Sequence, residues 1–232
     1  MKTRITPPFF EIGVKNYLYG DSVLELARAA DAAACRYDID VLFITPYTEI
    51  RRVAENTERL IVLAPYMDLL RPGRGMADIL PEALKAAGAR GVVLNHCEKP
   101  LSLRHLAQGI QRASELEMLS FVCADTVEEV RAAAQLHPDI INPEQSDAIG
   151  KDNGVDGTYA EEAYQAIKAA DAGILVEDAA GIRCGEQVYE CLMRGADGVG
   201  ASSGICLAEA PCRMAEEMIY SAAMAKRKKR MM

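Results

Sequence analysis

The chain has 232 residues, half of them apolar and about a quarter charged, with a formal net charge of −8. That is ordinary globular composition with ample material for a core, and the acid excess argues against a nucleic-acid or anionic-membrane surface. No apolar run is long enough to span a bilayer.

Short runs rich in Val, Ile, Leu and Phe alternate with longer Ala- and Glu-rich stretches of helical period. FFEIGVKNY (9–17) reads as a strand, and 21–38 as a helix with Asp21 or Ser22 as N-cap. DVLFITP (40–46) is a strand, followed by a short helix near 47–56, and RLIVLAPYM (59–67) is the third strand. After the RPGRG loop (71–75), a helix over 77–87 ends at Gly88. Strand 90–98 precedes a helix over 102–116. Strand 118–125 precedes a helix capped by Thr126, and strand 139–145 leads into a Gly- and Asp-rich loop, 146–159. A helix over 160–170, strand 172–178, a helix from Gly185, strand 196–202 and a final helix from about 211 complete the chain.

Eight strand–helix units with strands apolar on both faces predict a parallel sheet covered by helices. Eight units in this length match a single (β/α)8 barrel of α/β class, 1–232. A doubly wound open sheet is the alternative, but VKNYLYGDS lacks the G-x-G-x-x-G turn that such a sheet carries after its first strand. The basic run KRKKR, within a tail over 226–232, reads as a cationic last helical turn or as an interaction tail. Seven scattered cysteines without a C-x-x-C pair, and no signal-peptide pattern, lead to the expectation of free thiols in a reducing cytoplasm. Three histidines without metal-type spacing give no metal site.

In a barrel, function sits at the carboxyl ends of the strands. Those ends deliver Lys15 and Asn16 from strand 1, Pro65, Tyr66 and Asp68 from strand 3, and Asn95, His96 and Glu98 from strand 4. Strand 6 delivers Glu144, strand 7 Glu177 and Asp178, and strand 8 Ser202, Ser203 and Gly204. Each alone has a structural reading: a snorkelling lysine, a packed histidine, a paired glutamate. Together, Lys15, His96 and Glu144 suit proton abstraction next to a carbonyl. A carboxylate takes the proton, a neutral imidazole hydrogen-bonds the carbonyl oxygen, and an ammonium stabilises the developing charge. The enediolate needs protection from water, and 146–158, with glycines at 150, 154 and 157, has the composition of a lid.

These residues resemble the triosephosphate isomerase family, particularly its short archaeal-type branch. GVKNY resembles the segment that supplies the catalytic lysine, which implies Lys15. LNHCEK resembles the family's N/GHSERR motif, which implies His96 as electrophile with Asn95 and Glu98 in support. PEQSDAIGKD resembles the stretch from base to lid, which implies Glu144 as base. LAPYMD, RPGRGMADILPE, DAAGI and VGASSGIC extend the likeness over almost the whole chain. The resemblance implies isomerisation of dihydroxyacetone phosphate to glyceraldehyde 3-phosphate without cofactor, and phosphate binding at Gly150, Gly181, Ser202, Ser203 and Gly204. It also implies a homodimer or homotetramer assembled through the loop Pro65 to Met76. The chain departs from the pattern at Gly13 (for asparagine), Cys97 and Lys99 (for serine and arginine), Lys151 and Asp152 in the lid, Asp178 beside the expected phosphate, and Met76 (for threonine). Those departures keep two alternatives open: isomerisation of a related sugar phosphate such as a tetrulose phosphate, and a barrel that only binds a phosphorylated metabolite.

Overall fold

Strand period and helix period together close the chain into a barrel. In a computed structural model describing residues 2–146 and 157–231, eight parallel strands pair in sequence order from β1 to β8, and β8 closes on β1. The strands are β1 (Phe9–Gly13), β2 (Asp40–Ile44), β3 (Ile61–Ala64), β4 (Gly91–Leu94), β5 (Leu119–Ala124), β6 (Ile140–Pro143), β7 (Leu175–Asp178) and β8 (Gly198–Ala201). Closure runs through the register Phe9↔Gly198 to Ile12↔Ala201. The expected (β/α)8 architecture holds, and the strands are shorter than their apolar runs because residues beyond the ladder turn into the loops.

Alternation divides the strand residues between two cores. Phe9, Leu42, Leu63, Val93, Phe121 and Ile140 fill the inside of the barrel. Phe10, Ile12, Val41, Phe43 and their counterparts face outward and pack under the helices. At the bottom, Phe9 has room because β8 carries Gly198, where a Cβ would lie 2.2 Å from the Phe9 ring.

The covering helices are α1 (Asp21–Tyr37), α2 (Ile50–Glu55, after a 3-10 turn at Tyr47–Glu49), α3 (Pro81–Ala86), α4 (Leu103–Glu115), α5 (Val127–Ala134), α6 (Gly157–Ala170), α7 (Gly185–Arg194), α8 (Ser203–Cys206) and α9 (Pro211–Lys229). Ser102 and Thr126 cap α4 and α5 through their hydroxyl oxygens, which accept from the His105 and Glu129 amides. Gly88 takes the left-handed turn after α3 (φ 104) as expected.

Four expectations need correction. The N-cap of α1 is Gly20; Ser22 instead donates its hydroxyl to the Tyr19 carbonyl. Helix α3 starts at Pro81 and not 77, because proline at the first helical position fixes the start. Helix α6 starts at Gly157, so the last two residues of the expected lid, Gly157 and Thr158, belong to a helix; residues 147–156, most of that lid, lie outside the described residues. The short α8 after β8 was not foreseen. In the basic run, Lys226 pairs with Asp38 at 3.0 Å and Lys229 donates to the Ala196 carbonyl, so these two cations are tied to the barrel wall. No helix among the described residues is long and apolar enough to cross a membrane.

Candidate active site

The carboxyl ends of the strands surround a cavity of about 460 Å³, a size suited to a small metabolite. Lys15, His96 and Glu144 all line it. Each comes from a different strand end, so the barrel closure itself brings them together.

Lys15 stands two residues past β1 in a left-handed conformation (φ 48), unusual for a residue with a Cβ. Its Nζ lies 3.9 Å from Glu98 Oε2. His96 follows Asn95, which is also left-handed (φ 60). The Asn95 amide donates to the Cys123 carbonyl at 2.9 Å, and its oxygen accepts the Leu101 N–H at 2.8 Å. Asn95 thereby ties the end of β4 to β5 and to the approach of α4, and fixes where His96 points.

The ring of His96 has a defined polarity. The Glu98 backbone N–H donates to Nδ1 at 3.2 Å, so in the neutral ring the proton sits on Nε2. Nε2 in turn lies 3.8 Å from Glu144 Oε2. Burial lowers the His96 pKa, Lys15 lowers it further, and Glu98 opposes them. A neutral imidazole with Nε2–H turned toward the carboxylate is the result. Glu144 follows β6 directly and holds its backbone N–H on the Ala124 carbonyl at 2.9 Å. Burial raises its pKa, Lys15 counteracts, and Glu98 and Asp125 add to the rise. A carboxylate so raised is a better base at neutral pH than a solvated one.

Of the residues expected at a phosphate, Gly181, Ser202 and Ser203 line the cavity. Gly181 is left-handed (φ 71), and Ser202 is the N-cap of α8. The Ser202 hydroxyl donates to the Gly13 carbonyl at 2.6 Å, which binds the ends of β8 and β1 together. Gly204 is not among the lining residues. A Cβ on it would lie 2.2 Å from the Ile182 carbonyl oxygen, so its service is to let α8 pack flush on the loop after β7. Gly150 lies outside the described residues.

Asp178 does not face this cavity. It lines a separate space between α6 and α7 with Cys191 and Arg194. Burial raises its pKa, while a hydrogen bond with Cys191 and the charge of Arg194 lower it. Its neighbour Glu177 points the other way, fully buried inside the barrel. The carboxylate expected beside the phosphate therefore lies outside the cavity that Lys15, His96 and Glu144 line.

Several lining residues were not anticipated. Tyr17 and Tyr47 stand at the rim beside the expected Tyr66, with Lys99 5.1 Å over the Tyr66 ring. Glu11, Cys123 and Asn142 form the floor. The signal for Glu11 was present as a charge inside the apolar run FFEIG. Among the described residues no group of His, Cys, Asp or Glu side chains is arranged to hold a metal ion.

The chain also matches known proteins. The triosephosphate isomerase family model covers residues 11–203. The triosephosphate isomerase of Sulfolobus acidocaldarius is 33% identical over 229 residues, covering 96% of this chain and 98% of that protein. That of Sulfurisphaera tokodaii is 33% identical over 93% of this chain and 96% of its own length. That of Methanothermus fervidus is 31% identical over 91% and 97%. Barrel, strand-end trio and full-length similarity agree: the chain belongs to the triosephosphate isomerase family.

Proposed function

We propose that this chain interconverts dihydroxyacetone phosphate and glyceraldehyde 3-phosphate, with Glu144 as base, His96 as electrophile and Lys15 as the cation that stabilises the enediolate. The observation that carries the reading is the facing pair: His96 Nε2, the protonated nitrogen, 3.8 Å from Glu144 Oε2 across a cavity that Lys15 also lines. A substrate lying in the cavity against both groups presents its carbonyl oxygen to Nε2–H while the adjacent carbon loses its proton to Glu144. The same carboxyl returns the proton to the neighbouring carbon while the hydroxyl proton passes from one oxygen to the other, so oxidation at one carbon balances reduction at the next and no electron acceptor enters. The phosphate would rest near Gly181, Ser202 and Ser203, whose loops follow β7 and β8, with Gly150 as the contribution from the segment before α6. Asp178, outside the cavity, leaves that place free of its carboxylate.

A coupled assay on the wild-type protein tests this. Turnover of triose phosphates well above that of tetrulose phosphates is expected. Tight binding of dihydroxyacetone phosphate without turnover would sink the enzymatic reading and favour a sensor; preferred turnover of the four-carbon sugar would replace the substrate.

Assembly belongs to the same reading. The loop after β3 leaves Met76 fully exposed, with Leu69 and Leu70 half-buried beside it. One exposed and two half-buried apolar side chains on one loop suit burial against a second copy, as a homodimer or homotetramer. Light scattering should report a multimer that Met76→Lys weakens; a monomer at all concentrations would contradict it.

A further inference from the structure

Beneath the trio the barrel encloses two carboxyl groups that the isomerisation scheme leaves unused. Glu11 stands on β1 two residues before Gly13, so strand alternation points both into the barrel. Glu177 points in from β7. The two meet over Gly200, where a Cβ would lie 2.4 Å from Glu11 Oε2 and 3.0 Å from Glu177 Oε1. A Cβ on Gly13 would lie 3.0 Å from Glu11 Oε1. Two glycines on adjacent strands thus clear the space these carboxyls fill, and Glu11 reaches the place from which a side chain at position 13 would start.

The pair is well enclosed. Glu11 is 6% exposed and Glu177 0%. Among the described residues Glu11 Oε1 and both Glu177 oxygens have no hydrogen-bond partner, although Glu11 opens on the cavity floor. Such unpaired buried atoms are costly unless something else meets them. The groups whose charges act on the pair or that lie against it are Lys15 from the loop after β1, Glu144 after β6, Asp178 next to Glu177 on β7, and the thiols of Cys123 on β5 and Cys206 on α8. Burial raises Glu11 well above the usual carboxylate range, Glu144 adds to the rise and Lys15 counteracts it. Burial and then the Glu11 charge raise Glu177. Two adjoining enclosed carboxyls resist ionising together, so the pair holds a shared proton above the usual carboxylate range.

We propose that Glu11 is a substrate-binding residue of this chain: as a carboxylic acid on the cavity floor it hydrogen-bonds an oxygen on the reacting carbons of the sugar, with Glu177 behind it as the positioning residue. The proposal rests on the isomerase reading of the cavity. The reacting carbons are the natural partner because Glu11 lies under Lys15 and Glu144, and a phosphate dianion set among three carboxyl groups is disfavoured.

The test combines kinetics and binding. Glu11→Ala should lower kcat/KM for triose phosphates on the order of 10- to 100-fold at neutral pH, and Glu11→Gln, which keeps a donor, should recover most of that loss on a logarithmic scale. The neutral acid is the binding form, so wild-type kcat/KM is full below the raised range of the pair and falls as pH rises through it; in Glu11→Gln that alkaline fall should vanish. In a Glu144→Gln background, adding Glu11→Ala should weaken the affinity for dihydroxyacetone phosphate by a like factor. Unchanged kcat/KM and unchanged affinity in the alanine variants would overturn the proposal. If Glu11→Ala does not fold, an alkaline fall that persists in Glu11→Gln overturns it. If wild type binds without turnover yet the affinity still depends on Glu11, the isomerase reading fails and the assignment of Glu11 stands.

Discussion

Glu144→Gln is expected to lower kcat for triose phosphate isomerisation by about 10³- to 10⁴-fold, the upper range for loss of a positioned general base. The amide is close in size and shape to the carboxylate but has no useful basicity. The backbone hydrogen bond that seats residue 144, its N–H on the Ala124 carbonyl, does not involve the side chain and survives the change. The carboxylate is mostly buried and its pKa is raised, chiefly by that burial. An enclosed carboxylate is itself a desolvated charge, so the variant should fold with no loss of stability; thermal unfolding beside the kinetics separates a chemical defect from a structural one. The pH dependence has a definite sign. The base must be ionised, so wild-type kcat/KM falls as pH drops through the raised Glu144 value, at a higher pH than for a solvated glutamate. The residual rate of Glu144→Gln should lack that acid fall. A kcat within about tenfold of wild type would remove Glu144 from the role of base.

The alternation of apolar strands and amphipathic helices carried the barrel, because each strand is buried on both faces and therefore reads as an uninterrupted apolar run. It also carried the trio, since closing such a barrel places strand ends around one mouth regardless of local detail. Strand facing was harder to read. Glu177 and Asp178 are adjacent and both near the end of β7, yet they point to opposite sides, and a shift of one residue would exchange them. What decides is the register with β8, Glu177↔Gly198 and Asp178↔Val199, a pairing of distant segments. The same limit hid the Glu11–Glu177 contact, which depends on Gly200 lying between them. At Gly204 the letter alone does not tell a glycine near an anion from one under a close backbone approach; its neighbour, the Ile182 carbonyl, is known only from the fold. The start of α6 was missed because glycine is a poor helix former and Gly157 reads as loop.

Lys15→Met is expected to reduce kcat/KM by about 10²- to 10³-fold, the scale for removing one preorganised electrostatic contact with developing charge. Lys15 is the cation whose charge acts on His96 and Glu144, at a mouth that also holds Lys99, Glu98 and, below them, Glu11. Its ammonium lies 3.9 Å from Glu98 and lowers both Glu144 and Glu11. Removing it should therefore do more than weaken binding of an anionic substrate. Glu144 loses its counter-charge, so its pKa rises and the acid limb of kcat/KM moves to higher pH. His96 loses the neighbour that, after burial, keeps it neutral, so its pKa rises as well. A larger share of the ring then carries a second proton at Nδ1, against the Glu98 N–H that points there. The two effects act together below neutral pH, and the defect should be largest there. Methionine keeps the length and apolar stem of lysine, and both residues bear the same cost of the left-handed backbone at position 15, so stability should change little. Lys15→Arg separates charge from shape: it restores the positions of the pH limbs while its planar fork misplaces the contact, leaving kcat/KM between the other two. Stopped-flow or coupled kinetics across the pH range would decide. An acid limb that stays in place in Lys15→Met, or a kcat/KM close to wild type, would show that this lysine neither sets the charge of the site nor holds the enediolate.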